Sequence, residues 1–471
     1  MENALACVNE IISNYILIAV LLVAAFYFTF ITRGVQFGMI GEMFRLLADS
    51  GRRHDAHPNA GRHRTVSSFQ AFMISLASRV GTGNLAGVAT AIALGGPGAI
   101  FWMWIIAILG AASAFVESTL GQLYKVHGEK SYMGGPAYYI MKGIGSRAWA
   151  VTFAILITIT FGFAFNSVQA NTIADAFGNT FGTDSLWVAV VLAALTSVII
   201  WGGIQSIARF SAVVVPVMAL GYIILAVIII ALNFRLFPHV LKLIFENAFG
   251  FDQALGGGMG MALIMGIKRG LFSNEAGEGS TPNAAATADV SHPAKQGLIQ
   301  ALGVFTDTLV MCTCTAFIIL CSGVAYGPGN ADGIVLTQTA IDSALGYSGI
   351  GSVFVSVAIF FFAFTSIVAN YYYGETNLLF IRRSRLLIGV YRIAVAAMVF
   401  IGGIASLGFV WGFADITMAL MTFCNIAAIT VLGKYAVRCL KDYKEQRRQG
   451  KDPVYRSSTI AEIADKTECW K

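Results

Sequence analysis

Charge is scarce in this sequence of 471 residues: Asp, Glu, Lys and Arg together make up 12% of it, against about 25% in an ordinary soluble domain. So few charges cannot cover the surface of a water-soluble protein of this length, which excludes a soluble enzyme. Intrinsic disorder requires low hydrophobicity; a hydrophobic share of 57% and a mean hydropathy of +0.72 exclude it. Proline is rare, nine residues against 50 glycines. Average usage gives roughly 33 glycines, and the surplus suits membrane helices, which pack through small residues. The seven cysteines (Cys7, Cys312, Cys314, Cys321, Cys424, Cys439, Cys469) form no disulfide framework. Cys312 and Cys314, spaced i and i+2, point to different faces of a helix, which speaks against a metal clamp. All six histidines (His54, His57, His63, His127, His239, His292) fall in loops by the hydropathy pattern. Haem ligation or a histidine zinc site at membrane depth is therefore not expected.

Long apolar runs are what the chain does have. Stretches of about 20 residues mark bilayer-crossing helices, and eleven are read at 11–31, 66–94, 98–123, 150–173, 185–203, 210–233, 256–288, 297–322, 348–375, 386–406 and 411–433. Residues 1–13 hold no Lys or Arg, so no signal peptide is expected before the first span. With the N-terminus outside, the first inner loop holds Arg33, Arg45, Arg52, Arg53, Arg62 and Arg64, and the tail is basic from Lys434 to Lys471. Inner segments then carry 25 of the 31 basic residues, and outer segments only Arg235 and Lys242. That asymmetry predicts N-out, C-in. It also accounts for the net charge of +6 without nucleic acid as a partner. The tail Lys441–Lys451 reads as a topology anchor in contact with anionic lipid.

Two spans are interrupted. The second contains Ser78-Arg79-Val80-Gly81-Thr82-Gly83-Asn84; the seventh runs from Lys268 through Glu275, Gly277, Glu278 and Gly279 to Pro282 and Asn283. Glycine weakens a helix and proline removes a donor. Unwound backbone at membrane depth is tolerated only where it lines a protein-bounded cavity. Close packing explains a glycine run such as Gly256–Gly260, but not Arg79, Glu275 and Glu278, each costing ~3 kcal/mol or more if left unpaired in hydrocarbon. Each break opens a block of five spans, and blocks of odd number start on opposite sides of the membrane. The chain therefore reads as residues 1–65 (an extra helix and basic loop), inverted repeats 66–233 and 234–433, and a basic tail 434–471. Paired interrupted segments in matching positions point to a secondary-transporter site. Half-helix N-termini suit a carboxylate and exposed carbonyls a cation.

The motifs Arg79-Val80-Gly81-Thr82-Gly83-Asn84-Leu85-Ala86-Gly87, Gly95-Gly96-Pro97-Gly98, Phe272-Ser273-Asn274-Glu275-Ala276-Gly277 and Gly279-Ser280-Thr281-Pro282-Asn283 resemble the alanine or glycine:cation (sodium:alanine) symporter family, from about Gly34 to Pro453. The resemblance implies an all-α membrane protein of the LeuT type, one extra helix before a five-plus-five core. It implies sodium-coupled, sometimes proton-coupled, uptake of alanine or glycine, with glutamine carried by some members, and no organic cofactor. The implied setting is a bacterial cytoplasmic (inner) membrane, with lipid around the chain and no obligatory protein partner.

By the same resemblance, Gly81, Thr82, Gly83 and Asn84 receive the substrate carboxylate. The carbonyls of Ala77 and Val80 face Phe362, Thr365 and Ser366 of the ninth span around sodium, hard oxygen donors for a hard cation. Back-bonding within the helix is the competing use of those two hydroxyls. Asn166 and Gln169, three apart on one face, either bond an amino acid or glue helices together. Phe165 and Phe272 are pocket walls or core packing, and Ser273, Asn274 and Gly277 line the second break. Many members of the family carry Trp where Asn370 stands in the ninth span. Asn370 is smaller and both donor and acceptor, which opens the pocket to a more polar substrate such as glutamine.

Glu117 and Asp307 read either as proton carriers or as partners of Arg79, Lys268 and Arg269, with Glu275 or Glu278 gating or pairing with Arg79. A membrane-embedded enzyme lacks its metal or nucleophile cluster, and a primary pump its nucleotide-binding domain. A channel is built from repeated pore loops or charged rings, which one inverted pair of breaks does not provide.

Overall fold

Among the described residues, eight helices are long and apolar enough to cross a membrane. The computed structural model of the protein describes residues 10–50, 66–128, 131–201, 204–250, 258–346 and 349–470. Cys7, Arg52, Arg53, His54, His57, Arg62, His63, Arg64, Gly256 and Gly257, singled out above, lie outside them. In chain order the helices are α1 (Glu10–Ile31), α2 (Ile40–Ser50), α3 (Ser68–Arg79), α4 (Gly83–Gly95), α5 (Gly98–Leu123), α6 (Arg147–Phe181), α7 (Ser185–Ile200), α8 (Ile204–Leu232) and α9 (Phe237–Ala248). There follow α10 (Gly258–Asn274), α11 (Thr281–Ala285), α12 (Pro293–Cys321), α13 (Gly333–Leu345), α14 (Ile350–Ile381), α15 (Arg385–Ile404) and α16 (Leu407–Arg448).

Local chemistry sets several starts. Ser67 caps α3 in a reciprocal box with Gln70, satisfying two otherwise free N–H groups. Asp184, Asp332 and Ser384 cap α7, α13 and α15 through their side chains. The lipid-facing surface is plain on α8, where Val213, Val217, Leu220, Ile224 and Val227 recur at helical spacing and are each more than half exposed. The opposite extreme is α14, α5 and the two interrupted spans, whose side chains are mostly buried and form the centre of the bundle.

Both expected interruptions are present. Between Arg79 and Gly83 the helix stops, with Val80 extended at φ −79°, ψ 91°. The second break runs from Glu275 to Ser280, with Gly277 and Gly279 left-handed at φ 89° and 86° and Glu275 at φ 56°. Left-handed backbone is costly for a residue with a Cβ, so Glu275 is held there by its surroundings. Of five wide, π-type segments among the described residues, three lie at Gly83–Gly87, Thr160–Phe165 and Phe305–Cys312. Such turns gather at functional sites, and these carry Asn84, Phe165 and Asp307.

The structure differs from the sequence reading at the end of the chain and at one histidine. Helix α16 does not end near Gly433 but continues to Arg448, because Cys439, Leu440 and Tyr443 bury a face of its polar extension. The residues beyond it pack back on the bundle; Tyr455, Ile460, Ile463 and Trp470 are buried against the protein. His239 lies within α9 and is not a loop residue, whereas His292 stands in the linker as the N-cap of α12. The fold is all-helical as expected, apart from a short antiparallel pairing of Val126–His127 with Tyr132–Met133 after α5.

Candidate functional site

The two breaks meet face to face. At the first, Asn84 on α4 accepts the Gly81 N–H (3.0 Å) and donates to Asp307 Oδ1 (2.7 Å) and Ser273 Oγ (3.1 Å). Ser273 donates to the other oxygen of Asp307 at 2.7 Å, and Thr308 to the same oxygen at 2.9 Å. One buried carboxylate on α12 therefore holds the first break against the end of α10. Gln169 on α6 accepts the Thr82 N–H at 3.1 Å. Space here is nearly gone: a Cβ on Gly81 would lie 2.5 Å from Ser366 Oγ, and one on Gly83 3.0 Å from the Ser273 backbone.

Ser366 on α14 draws the oxygens together. Its hydroxyl lies 2.8 Å from the Ala77 carbonyl, 3.0 Å from that of Phe362 and 3.5 Å from that of Val80. Thr365 Oγ1 lies 2.8 Å from the Phe362 carbonyl. Both hydroxyls thus back-bond, as membrane hydroxyls do, but Ser366 also reaches across to α3. All five residues are buried. The helix end at Val80 frees carbonyls that an unbroken α3 would have consumed, and three carbonyls and two hydroxyls make a hard-oxygen set.

At the second break, Glu117 on α5 replaces the missing helix bonds. Its two oxygens accept the N–H groups of Gly277 (3.2 Å) and Gly279 (3.1 Å), and Asn425 on α16 donates to the same carboxylate (2.8 Å) and to the Gly277 carbonyl (2.9 Å). Tyr139 closes onto Asn425 Oδ1. Glu275 accepts from Ser78 (2.6 Å) and Ser280 (2.5 Å). Asn274 accepts the Ala276 N–H at 3.0 Å. The Ser78 hydroxyl also lies 2.7 Å from Asn370 Oδ1, so its one proton is shared between Glu275 and Asn370, and Asn370 donates to Asn166 Oδ1 (3.1 Å), which ties α3, α6, α14 and the second break into one polar chain. Phe165 and Phe272 stack obliquely, centroids 4.5 Å apart, and Phe272 continues to Trp411 at 4.7 Å.

The expected pairings of the buried charges need correction. Arg79 has no carboxylate within 4.0 Å among the described residues; it donates to the Gln300 carbonyl (3.2 Å) and to Thr281 Oγ1 (2.8 Å). Lys268 and Arg269 pair with neither Glu117 nor Asp307. Both converge on Asp415 of α16, at 2.8 and 2.9 Å, and Arg269 lies over the Trp411 ring at 4.1 Å. Glu117 and Asp307 are instead taken up by the backbone and polar donors of the breaks. The sequence reading missed Asp415, although an acid inside an apolar run is a visible signal. Asn425, Tyr139 and Trp411 carry no comparable mark.

One His/Cys/carboxylate group also lies among the described residues, with His127, Glu468 and Cys469 offering ligand atoms within 4.8 Å of one another. It sits at the surface, Glu468 is engaged by Lys142 at 2.9 Å, and Cys469 donates to the Lys125 carbonyl. Those contacts serve docking of the tail.

A membrane bundle built on two interrupted helices, with freed carbonyls at one break and a capped left-handed turn at the other, is the architecture of a secondary carrier. Residues 1–457 match the sodium:alanine symporter family, and the chain belongs to that family. The chain is 49% identical over 470 residues to the probable sodium/glutamine symporter GlnT of Bacillus subtilis (100% of this chain, 96% of that protein). It is also 49% identical over 474 residues to the amino-acid carrier protein AlsT of the same organism (100% and 99%). The sodium/alanine symporter AgcS of Methanococcus maripaludis is 37% identical over 399 residues (83% and 87%). Among solved structures, MhsT in complex with L-phenylalanine superposes with a TM-score of 0.54 at 13% identity, covering 86% of this chain and 93% of that one. A manganese transporter of Eremococcus coleocola gives 0.54 at 12% (87% and 95%). These likenesses show the LeuT-type fold. The chain is a multi-pass membrane symporter and not an enzyme.

Proposed function

We propose that the chain carries a small neutral amino acid inward with sodium, by alternating access, and that the two breaks form its site. The observation that carries this reading is the convergence of Ala77, Val80 and Phe362 carbonyls with the Thr365 and Ser366 hydroxyls. A sodium ion held there steadies the end of α3 against α14. The substrate carboxylate is received at the start of α4, where Gly81, Thr82, Gly83 and Asn84 present N–H groups and the positive end of the helix. Gln169 and the Asn84 side chain occupy two of those N–H groups here, so binding exchanges an internal partner for the carboxylate. Phe165 and Phe272 wall the side-chain pocket, with Asn166, Ser273, Asn274 and Gly277 around it.

The same reading takes the chain as eleven crossings, with α3–α4 and α10–α11 as the broken spans, 66–233 and 234–433 as inverted repeats, and α7 as a short crossing. It places the N-terminus outside and the tail inside the cytoplasmic (inner) membrane of a bacterium. Sodium is the coupling ion, with a proton as the alternative. Coupling needs only that both ligands favour the same state.

Alanine or glycine is the first substrate reading. Glutamine is favoured by one observation: Asn370, bonded to Ser78 and Asn166, gives the pocket a polar wall. A Bacillus subtilis relative named for glutamine supports it. The test is uptake of labelled alanine into proteoliposomes, competed by glycine, serine and glutamine, with and without an inward sodium gradient. Gradient-driven, saturable accumulation is expected; flux that neither saturates nor needs a gradient overturns the symporter reading.

A further inference from the structure

The chain beyond α16 is folded under one end of the bundle, the face assigned to the cytoplasm. Asp452 pairs with Lys295 of α12 at 2.7 Å, although Lys295 is itself buried. Ser291 donates to the Pro453 carbonyl (2.9 Å), and Tyr455 N–H donates to the Ser291 carbonyl (2.8 Å). Further on, Glu468 pairs with Lys142 (2.9 Å) and Trp470 Nε1 donates to the Gln122 carbonyl at the end of α5 (3.0 Å). Lys125 lies between: its ammonium faces the Trp470 ring at 4.8 Å and donates to the Ala288 carbonyl at 3.0 Å.

These contacts surround the place where the two broken spans reach this face. The linker between α11 and α12 is bridged to the start of α3, with Asp289 N–H donating to the Val66 carbonyl at 3.1 Å. From Leu271 to Val304 every residue but Ser291 is buried. On the alternating-access reading, an exit toward this face parts Val66 from Ala288, which are bridged here. The tail grips one side of that seam through Ser291, Lys295 and Ala288's partner Lys125, and it is continuous with α16, which is fixed to α2 by Tyr443 and Arg447 on Glu42.

We propose that residues 452–470 are a latch that holds the cytoplasmic exit closed and releases as the α11–α12 linker moves away from α3. The latch rests on the alternating-access reading. Its grip joins the polar contacts at Lys295, Ser291 and Lys142 to the buried Tyr455, Ile460, Ile463 and Trp470, so release exposes apolar surface that the bound ligands must offset. Cys469, half-buried beside Lys125, is a built-in reporter of that release.

The experiment follows alkylation of Cys469 in the full chain, in proteoliposomes, by an impermeant maleimide applied to the tail side and read by mass of the tail peptide. Wild-type uptake in the same preparation tests the alternating-access reading separately. Lys295→Glu and Asp452→Lys are each expected to raise the alkylation rate about five-fold, the low end of ordinary coupling. Each is also expected to change the maximal uptake rate. The double exchange Lys295→Glu with Asp452→Lys restores both, which a misfolded protein does not. Substrate with sodium is expected to raise wild-type labelling. A transporting wild type whose labelling ignores substrate, or single variants whose labelling matches wild type, overturns the latch.

Discussion

Ser366 Oγ on α14 stands 2.8 Å from the carbonyl of Ala77 on α3, the shorter of its two contacts across to the first break. Thr365, by contrast, bonds only within its own helix. If these oxygens hold sodium, Ser366→Ala removes both a ligand and the cross-helix bond, and Thr365→Ala removes a ligand alone. A net hydrogen bond is worth ~1 kcal/mol, more toward a charge. The expected outcome is an apparent sodium affinity about ten-fold weaker in Ser366→Ala, a smaller loss in Thr365→Ala, and little change in maximal rate at saturating sodium. Uptake against sodium concentration checks it; unaltered sodium dependence in both variants removes the assignment.

Much of this site was legible in the sequence because its signals are chemical contradictions. Gly81, Gly83, Gly277 and Gly279 do not belong in a lipid-facing helix, nor do Arg79 and Glu275, and both breaks fall where those residues stand. Partner choice was not legible. Lys268 and Arg269 lie in the same apolar stretch as several acids by sequence, and only the packing of α10 on α16 selects Asp415. Glu117 read as a proton carrier or an ion-pair partner because sequence shows charge, not the free backbone N–H groups it satisfies. The tail misled for the opposite reason: its lysines and arginines set the composition, whereas its docking depends on a few scattered residues such as Tyr455 and Trp470.

Asp415 is shared by two buried cations, with side-chain exposure of 3%. Removing one partner of a buried pair typically costs ~3–5 kcal/mol, since the remaining charge is stranded. Asp415→Asn is therefore expected to lower the melting temperature of the purified protein sharply. Asp415→Asn combined with Lys268→Met is expected to recover part of the loss. Fluorescence-detected thermal unfolding of the three proteins checks this, and equal stabilities contradict it.

Asn370 holds Asn166 with one end of its amide and receives Ser78 with the other. Asn370→Trp fills the space with an apolar ring and leaves Asn166 Oδ1 and Ser78 without that partner. The expected outcome is a shift in competition toward glycine and alanine, with glutamine losing ~10-fold or more, the scale of a lost polar contact in a shaped pocket. An unchanged order of competitors shows that the polar wall does not select the substrate.

His292, in the linker before α12, accepts the Ala294 N–H on Nδ1 and faces Asp442 through Nε2. Burial pushes its imidazole below the ordinary histidine value, with Asp442 only partly opposing. The folded state then favours the neutral ring, while the unfolded chain takes up the proton first as pH falls. Its contribution to stability is complete above the ordinary histidine value and is lost as pH drops below it. Melting temperature is expected to fall between pH 7.5 and 5.5, and to fall less in His292→Asn, which keeps a capping oxygen. Parallel curves for the two proteins refute the assignment.

Glu117 is the residue that makes the second break possible. Two left-handed glycines turn their N–H groups inward, and an unsatisfied buried donor costs ~1–3 kcal/mol. The carboxylate takes one on each oxygen and Asn425 besides. Glutamine has the same shape but only one acceptor, so Glu117→Gln sets an NH2 group against a backbone N–H, whichever way the amide turns. Lost stability alone would not separate a site role from packing. The distinguishing readout is substrate affinity, because Gly277 lies in the unwound stretch that, with Asn274 at the end of α10, is proposed to face the amino acid. Glu117→Gln is expected to raise the half-saturating substrate concentration ~10-fold while sodium dependence, set at the first break, stays near wild type. Equal losses toward sodium and substrate would make Glu117 a general support of the fold, and an unchanged substrate affinity would detach the second break from the site.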